Sequence, residues 1–315
     1  MTKTGGSSAA RQDLIRRRGL SKLEQGYMGF ILVLPWLIGF CIFKLYPFVS
    51  SLIYSFTDYD LFKGVQNVVG FQNYIDAFTK PKNIKALQVT FTYAFMTVPL
   101  KLIFALFIAY ILNFRIKGVG LFRTAYYVPS ILGGSVAIAV LWKALFKNDG
   151  VVNTILAMLG FESINFLADK QWALFIICLL RVWQFGSAMV LFLAALKGVP
   201  EDLYEAASID GATRGRQFMS ITIPLISPVI FYNLVTQLVQ AFQEFNGPYI
   251  ITNGGPRNAT TLISLIVYNT AFKDYKVGMS SAMAWVMFVI VMVLTIIAFV
   301  SQKKWVYYSD DDGRG

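Results

Sequence analysis

Six stretches of this chain are too long and too apolar to be strands: residues 28–48, 91–112, 126–146, 172–196, 223–245 and 279–300. Each is dense in Leu, Ile, Val, Phe and Met and reaches the roughly 20 residues a helix needs to cross a bilayer. In lipid such a segment must be helical, because only a helix satisfies its own backbone groups within one segment. Composition agrees. Charged residues make up 14% of the 315, against roughly 25% in a soluble globule. The expectation is an all-α polytopic membrane protein with six transmembrane helices. A terminal segment (1–27) precedes a membrane domain (28–300), and a short tail (301–315) follows it. The first run is longer than a signal core and lacks a small-x-small cleavage site, so it is expected to remain as the first span.

Six spans put both termini on one side. Lys and Arg number six in 1–27 and three each in 113–123, 197–222 and 301–315, against four, two and three in 49–87, 147–171 and 246–278. The excess predicts that both termini are cytoplasmic, and Arg16, Arg17, Arg18 and Lys22 sit just before the first run, where charge counts most. The net charge of +11 is thereby explained by span-flanking residues, and no nucleic-acid partner is expected. Cys41 and Cys178 lie within apolar runs and read as small packing residues. The chain has no histidine, which removes the commonest general base and transition-metal ligand. It also has no G-x-x-x-x-G-K-[ST] phosphate loop. No catalytic residue, metal site or bound cofactor is expected, and an enzyme reading fails for want of catalytic groups.

Polar side chains within spans are costly and face the bundle interior or a pathway. In the fifth run Asn233, Gln237, Gln240 and Glu244 follow offsets of four, seven and eleven, which place them on one helical stripe. Interhelical packing and a solute pathway both account for such a stripe. Amides that donate and accept suit sugar hydroxyls. The fourth run carries Arg181, Gln184, Phe185 and Ser187. Arg181 lies about 13 Å deep at 1.5 Å per residue and needs a partner, either Glu244 or an anionic group on a solute. Phe185, Trp183 and Phe242 are secondary candidates for stacking on a sugar face. Lys101, close to a kink expected at Pro99, reads as paired within the bundle. An ion-coupled secondary transporter would need intramembrane acids, and only Glu244 lies in a run, near its outer end.

Residues 197–224 read KGVPEDLYEAASIDGATRGRQFMSITIP. Pro200 followed by Glu201 and Asp202 suits a helix start. That helix should stop at Asp210-Gly211, and Thr213 should cap a second short helix over 214–220. Leu203, Ala206, Ala207 and Phe218 make this loop apolar enough to dock against a partner or to pack under the bundle. The pattern Glu205-Ala206-Ala207, three residues, Gly211, nine residues, Ile221-Thr222-Ile223-Pro224 resembles the EAA signature of ABC-importer permeases. Gly70-Phe71-Gln72-Asn73-Tyr74, Phe122-Arg123-Thr124 with Val128-Pro129, Trp142 and Gly150…Asn153, and Thr252-Asn253-Gly254-Gly255-Pro256 with Ala259-Thr260 resemble further segments of that family, in its order.

The resemblance points to the carbohydrate-uptake branch, and to a chain similar to the larger membrane subunit of maltose transporters. It implies a type I importer permease fold in a bacterial plasma (inner) membrane. It also implies coupling to an ATPase through Glu205, Ala206, Ala207, Asp210, Gly211, Ile221 and Pro224. The partners implied are a second homologous permease, two ATPase subunits that bind ATP and Mg, an extracellular or periplasmic solute-binding protein, and a sugar substrate, with membrane lipid around the spans. By ungapped alignment Arg181, Gln184 and Ala188, and then Gln237, Gln240 and Glu244, fall at sugar-contact positions with residue types unlike the relative's. The substrates left open are neutral or acidic oligosaccharides and glycerol phosphate.

Overall fold

The computed structural model describes residues 30–65, 67–114 and 118–308. Segment 1–27, with its basic cluster, and positions 309–315 of the tail lie outside the described residues. Among those described there is no strand, only isolated bridges such as Thr57 with Val68. Two compact units divide the chain, 1–54 and 55–315.

The first unit contains most of helix α1 (Phe30–Ser55). It is apolar along its length, with one wider π turn at Cys41–Leu45. None of its most apolar window is buried.

In the second unit, α2 (Gln72–Thr79) is a short helix after a loop. Asn73 in it donates to the carbonyls of Ser55 and Thr57 at 2.9 and 2.8 Å. Ser55 is the last residue of α1 and Thr57 lies just beyond it, so the asparagine ties α2 to the end of that helix. Helix α3 (Pro81–Asn113) is the longest element and the centre of the bundle. It packs against α7 (Lys170–Trp183), α8 (Gly186–Lys197), α10 (Arg214–Phe242) and α11 (Ile263–Phe272). Ala94, Ala105 and Ala109 of α3 are fully buried. Small residues let helices in a membrane approach closely, where van der Waals contact rather than water exclusion holds them together. Helix α12 (Val277–Gln302) packs on α10, α11 and α2.

Among the described residues four helices are long and apolar enough to cross a membrane, and the number reaches six when each of two bent pairs counts as one span. The two bends interrupt the third and fourth expected spans. Helices α4 (Val119–Leu132) and α5 (Val136–Leu145) meet at 104°. Gly133 and Gly134 open the turn, and Ser135 starts α5 afresh by accepting from the Ala137 N–H at 3.2 Å. Helices α7 and α8 bend by 44° at Gln184-Phe185.

The short helix expected over 214–220 is also not separate. It runs without a stop into the fifth span, making α10 29 residues long. A π turn at Phe218–Thr222 widens the helix just before Pro224, whose ring would clash with the carbonyl four residues back. Pro228 withdraws a donor from the Pro224 carbonyl, and Ser227 Oγ replaces it at 2.6 Å.

Two further helices stand where loops were expected. Helix α6 (Val151–Met158) precedes α7. The ten-residue α11 lies in the 246–278 segment, with Ile263, Leu265 and Ile266 buried. Its apolar run is too short to span, which is why a span-length criterion passes over it. The loop before it is closed by threonines: Thr260 Oγ1 donates to the Gly255 carbonyl and Thr261 Oγ1 to that of Gly254, at 2.7 and 3.0 Å.

Candidate functional site

The polar residues singled out inside the spans come together from three helices. Lys101 of α3 is 3% exposed, and its ammonium donates to Gln237 Oε1 of α10 at 2.8 Å. One turn further along α10, Gln240 Oε1 accepts from Arg181 Nη2 of α7 at 2.7 Å. Arg181 Nη1 donates to Gln184 Oε1 at 3.0 Å. Glu244 Oε2 stands 3.7 Å from Arg181 Nε, an ion pair too long for a hydrogen bond. The other carboxylate oxygen, Oε1, accepts from the Gly247 N–H at 3.1 Å. Arg181 therefore has Glu244 as its charge partner, but its two hydrogen bonds go to neutral amides. Lys101 is paired, as its sequence context suggests, and its partner is an amide rather than an acid.

Two members of the stripe differ in setting. Asn233 is 2% exposed and donates to the Val229 carbonyl of its own helix at 2.9 Å. Gln240 is exposed. Phe185 is buried, with its ring edge-on to Phe104 and tilted on Tyr126. Phe242 is likewise buried against Phe91, and Trp183 lies 5.6 Å from Trp142. Phe185 and Phe242 are thus packed within the bundle, while Trp183 is half-buried.

The bend at Gln184 places Arg181 and Gln184 side by side. Ser130 of α4 bridges the bend: its hydroxyl donates to the Gln184 carbonyl at 3.1 Å and accepts from the Ser187 N–H at 3.0 Å. Gly186 is required there, because a Cβ would run into the backbone of Tyr126 and Tyr127. A cleft beside the arginine is lined by Tyr93, Gly133, Arg181, Gln184, Glu244 and Asn246, among others. Its free volume of about 10 Å³ is no more than one water molecule needs. Tyr93 Oη, fully buried at its edge, has no hydrogen-bond partner among the described residues. Tyr93, Ser130 and Asn246 are members of this site that sequence reasoning passed over. A lone tyrosine, serine or loop asparagine carries no periodic signal of its own.

The second set of residues lies on α9 (Glu201–Ile209) and the turn after it. No side chain of α9 is buried. Glu205, Ala206 and Asp210 are exposed and Ala207 is half-buried. Ile209 is 88% exposed, an unusual position for so apolar a residue. Gly211 has φ of 74°, the left-handed conformation that ends a helix and that glycine adopts without a Cβ penalty. Thr213 accepts from the Arg216 N–H at 3.4 Å, as a capping residue for α10. The turn is tied to α10 by Tyr204 Oη with Thr222 Oγ1 at 2.7 Å, and by Gln217 Nε2 donating to Ser208 Oγ at 2.9 Å. Ile221 and Pro224 are half-buried in the first turns of α10. Tyr110, near the end of α3, meets Phe218 edge-on at 4.8 Å. The same helix thus touches the polar row at Lys101 and the first turns of α10, just after the α9 turn, at Tyr110.

Among the described residues no group of acids and cysteines is arranged to hold a metal ion. Cys41 and Cys178 are both free thiols, the first exposed and the second buried.

The chain matches the family described as "Binding-protein-dependent transport system inner membrane component" over residues 74–305. It is 44% identical over 316 residues to the probable ABC transporter permease protein YesP of Bacillus subtilis, covering 99% of this chain and 100% of that protein. It is 34% identical to the trehalose/maltose transport system permease protein MalF of Thermococcus litoralis, over 88% of this chain and 94% of the relative. It is also 35% identical to the sn-glycerol-3-phosphate transport system permease protein UgpA of Yersinia pestis, over 90% and 96%. Among solved structures, a chain of a bacterial alginate ABC transporter in complex with an alginate pentasaccharide-bound periplasmic protein superposes with a TM-score of 0.78. That match is at 23% identity and covers 90% of this chain and 96% of the other, so it speaks to the fold.

Proposed function

Because this chain belongs to the family of binding-protein-dependent transport system inner membrane components, we propose that it is the permease subunit of an ATP-driven importer of sugars or oligosaccharides. It performs no chemistry itself. The observation that carries the reading is the row of amides and charges that α3, α7 and α10 gather inside the membrane domain: Lys101, Gln237, Gln240, Arg181, Gln184 and Glu244. Amide groups both donate and accept, as sugar hydroxyls do. The trehalose/maltose relative gives the substrate class its support.

The cleft beside Arg181 is too small for a sugar ring. The row therefore acts as one wall of a pathway whose other wall is a second, homologous permease. The exposed α9 turn is the surface that meets an ATPase subunit. Glu205, Ala206, Ala207, Asp210 and Gly211 form its face, and Ile221 and Pro224 anchor it to α10. Two ATPase subunits bind ATP and Mg, and a solute-binding protein delivers the sugar from outside. Closure of the ATPase pair moves the α9 turn. Through the Tyr110–Phe218 contact and the continuous α10, that motion reaches the row and rocks the bundle between two access states.

The test is to purify the tagged chain in mild detergent after expressing it with its neighbouring genes. An ATPase with a phosphate loop and a second permease should come with it. Glu205→Lys and Gly211→Pro should each abolish ATP-dependent uptake while the chain still inserts in the membrane. A chain that purifies alone and moves solute without ATP overturns the reading.

A further inference from the structure

A second cleft, of larger size, opens between the N-terminal turns of α3, the start of α7 and the loop before α11. It is lined by Lys85, Gln88, Val89, Thr92, Lys170, Leu174, Arg257 and Ala259. Three of these are cations, brought together from three separate segments, and none is an acid. Lys170, Thr92 and Leu174 also line an adjoining apolar cleft with Trp172 and Phe175, both of which are more than a third exposed. The two clefts are therefore one groove, cationic on one side and aromatic on the other. Along the same two helices lies the polar row: α3 leads from Lys85 to Lys101, and α7 from Lys170 to Arg181.

Charge in that row is unbalanced in the same direction. It holds Lys101 and Arg181 against one carboxylate, Glu244. Arg181 keeps a planar fork, 20% exposed, whose hydrogen bonds go to neutral oxygens, while Glu244 directs one oxygen to the Gly247 N–H and stands off at 3.7 Å. Among the described residues Lys101 has an amide for its partner. An arriving carboxylate would give Arg181 the bidentate contact that Glu244 does not make. It would also bring a negative charge towards Lys101 that Gln237 cannot supply.

From these two observations we propose that the substrate is anionic. It is a carboxylated oligosaccharide that is received in the Lys85–Lys170–Arg257 groove and then passed to Arg181. A groove with several spaced cations and an aromatic flank fits a chain of acidic sugar rings, whose faces stack on Trp172 and whose carboxylates meet the cations. This rests on the importer reading above and narrows its substrate.

The test uses the complete importer with its own binding protein, reconstituted in liposomes. The probes are a uronic-acid trisaccharide, its carboxyl-reduced neutral counterpart, and glycerol phosphate. ATP-driven uptake of the acidic trisaccharide should exceed that of the neutral one by about tenfold, the scale of one charge-assisted hydrogen bond. Arg181→Gln should lower acidic uptake by a similar factor. The Lys85→Gln, Lys170→Gln, Arg257→Gln triple variant should raise KM for the acidic probe more than for the neutral one and weaken the salt dependence of acidic uptake. The binding protein is the same throughout, so a change in the acidic-to-neutral ratio reports on this chain.

Equal or preferred uptake of the neutral trisaccharide overturns the anionic assignment and leaves the importer intact. Preference for glycerol phosphate over the acidic trisaccharide overturns the oligosaccharide. Equal loss for acidic and neutral probes in the triple variant means that the groove docks the binding protein instead, and overturns its role in substrate reception. An assembled complex that hydrolyses no ATP and takes up none of the probes overturns the importer reading itself.

Discussion

Gln237 illustrates how much one buried amide decides. Its Oε1 is the hydrogen-bond acceptor for an ammonium that is 3% exposed. Gln237→Leu removes the acceptor and leaves Lys101 with nothing in its place, so the cost is that of an unsatisfied buried donor, about 1–3 kcal/mol. The expected outcome is a lower unfolding midpoint of the detergent-solubilised chain, with Gln237→Glu retaining most of the stability by supplying an acceptor. Wild-type stability in Gln237→Leu would show that Lys101 finds another partner. The pairing of Lys101 and the closeness of Arg181 and Glu244 were partly legible in the sequence, because an intramembrane charge needs a partner and few candidates exist. That Arg181 bonds Gln184 and Gln240 rather than Glu244 was not legible, since it depends on differences of an ångström where α7 meets α10.

At the scale of the element, the bends set which polar groups meet. The α7–α8 bend exists because α4 comes close enough for Ser130 to serve both sides of it. Gly186→Val adds a side chain where Tyr126 and Tyr127 backbone already sits. Overpacking of this kind costs about 1–3 kcal/mol, and here it also pushes α4 from α8. The variant should show a lowered unfolding midpoint together with loss of transport, and Gly186→Ala a milder loss of both. Normal transport in Gly186→Val would mean that the bend is not held by this contact. The run 172–196 reads as one span because most of its residues are apolar. Composition reports that a segment is in the membrane, whereas the bend comes from a serine hydroxyl 57 residues away along the chain. By contrast, the boundaries of α9 were legible, because Pro200, Asp210 and Gly211 act locally: proline fixes φ at the helix start and glycine accepts a positive φ at its end.

For the whole molecule, the distribution of Lys and Arg predicts that the α9 turn faces the cytoplasm and the 147–171 segment the outside. The two sides can be told apart with a membrane-impermeant maleimide on intact cells, in a Cys41→Ser background. Phe161→Cys, at a position 64% exposed, should be modified directly, and Ile209→Cys, at one 88% exposed, only after the membrane is opened. The reverse pattern would overturn the orientation and, with it, the assignment of α9 to an ATPase.

What the sequence determined by itself is the class of the molecule: membrane-embedded, all-helical, and without the phosphate loop of a nucleotide-driven motor. These follow from apolar length and from residue types that are absent, and neither depends on which segments touch. The tertiary structure decided which helices meet. It placed α3 at the centre, with Lys101 against Gln237 and Tyr110 against Phe218, both on α10. It folded a ten-residue apolar segment, α11, into the domain beside α12 and α3. It also assembled Lys85, Lys170 and Arg257 from segments more than 80 residues apart into one groove. The physical reason is that hydropathy and capping are summed over neighbours in the chain, while hydrogen bonds between spans and the grouping of charges are set by helix packing, which no local pattern encodes.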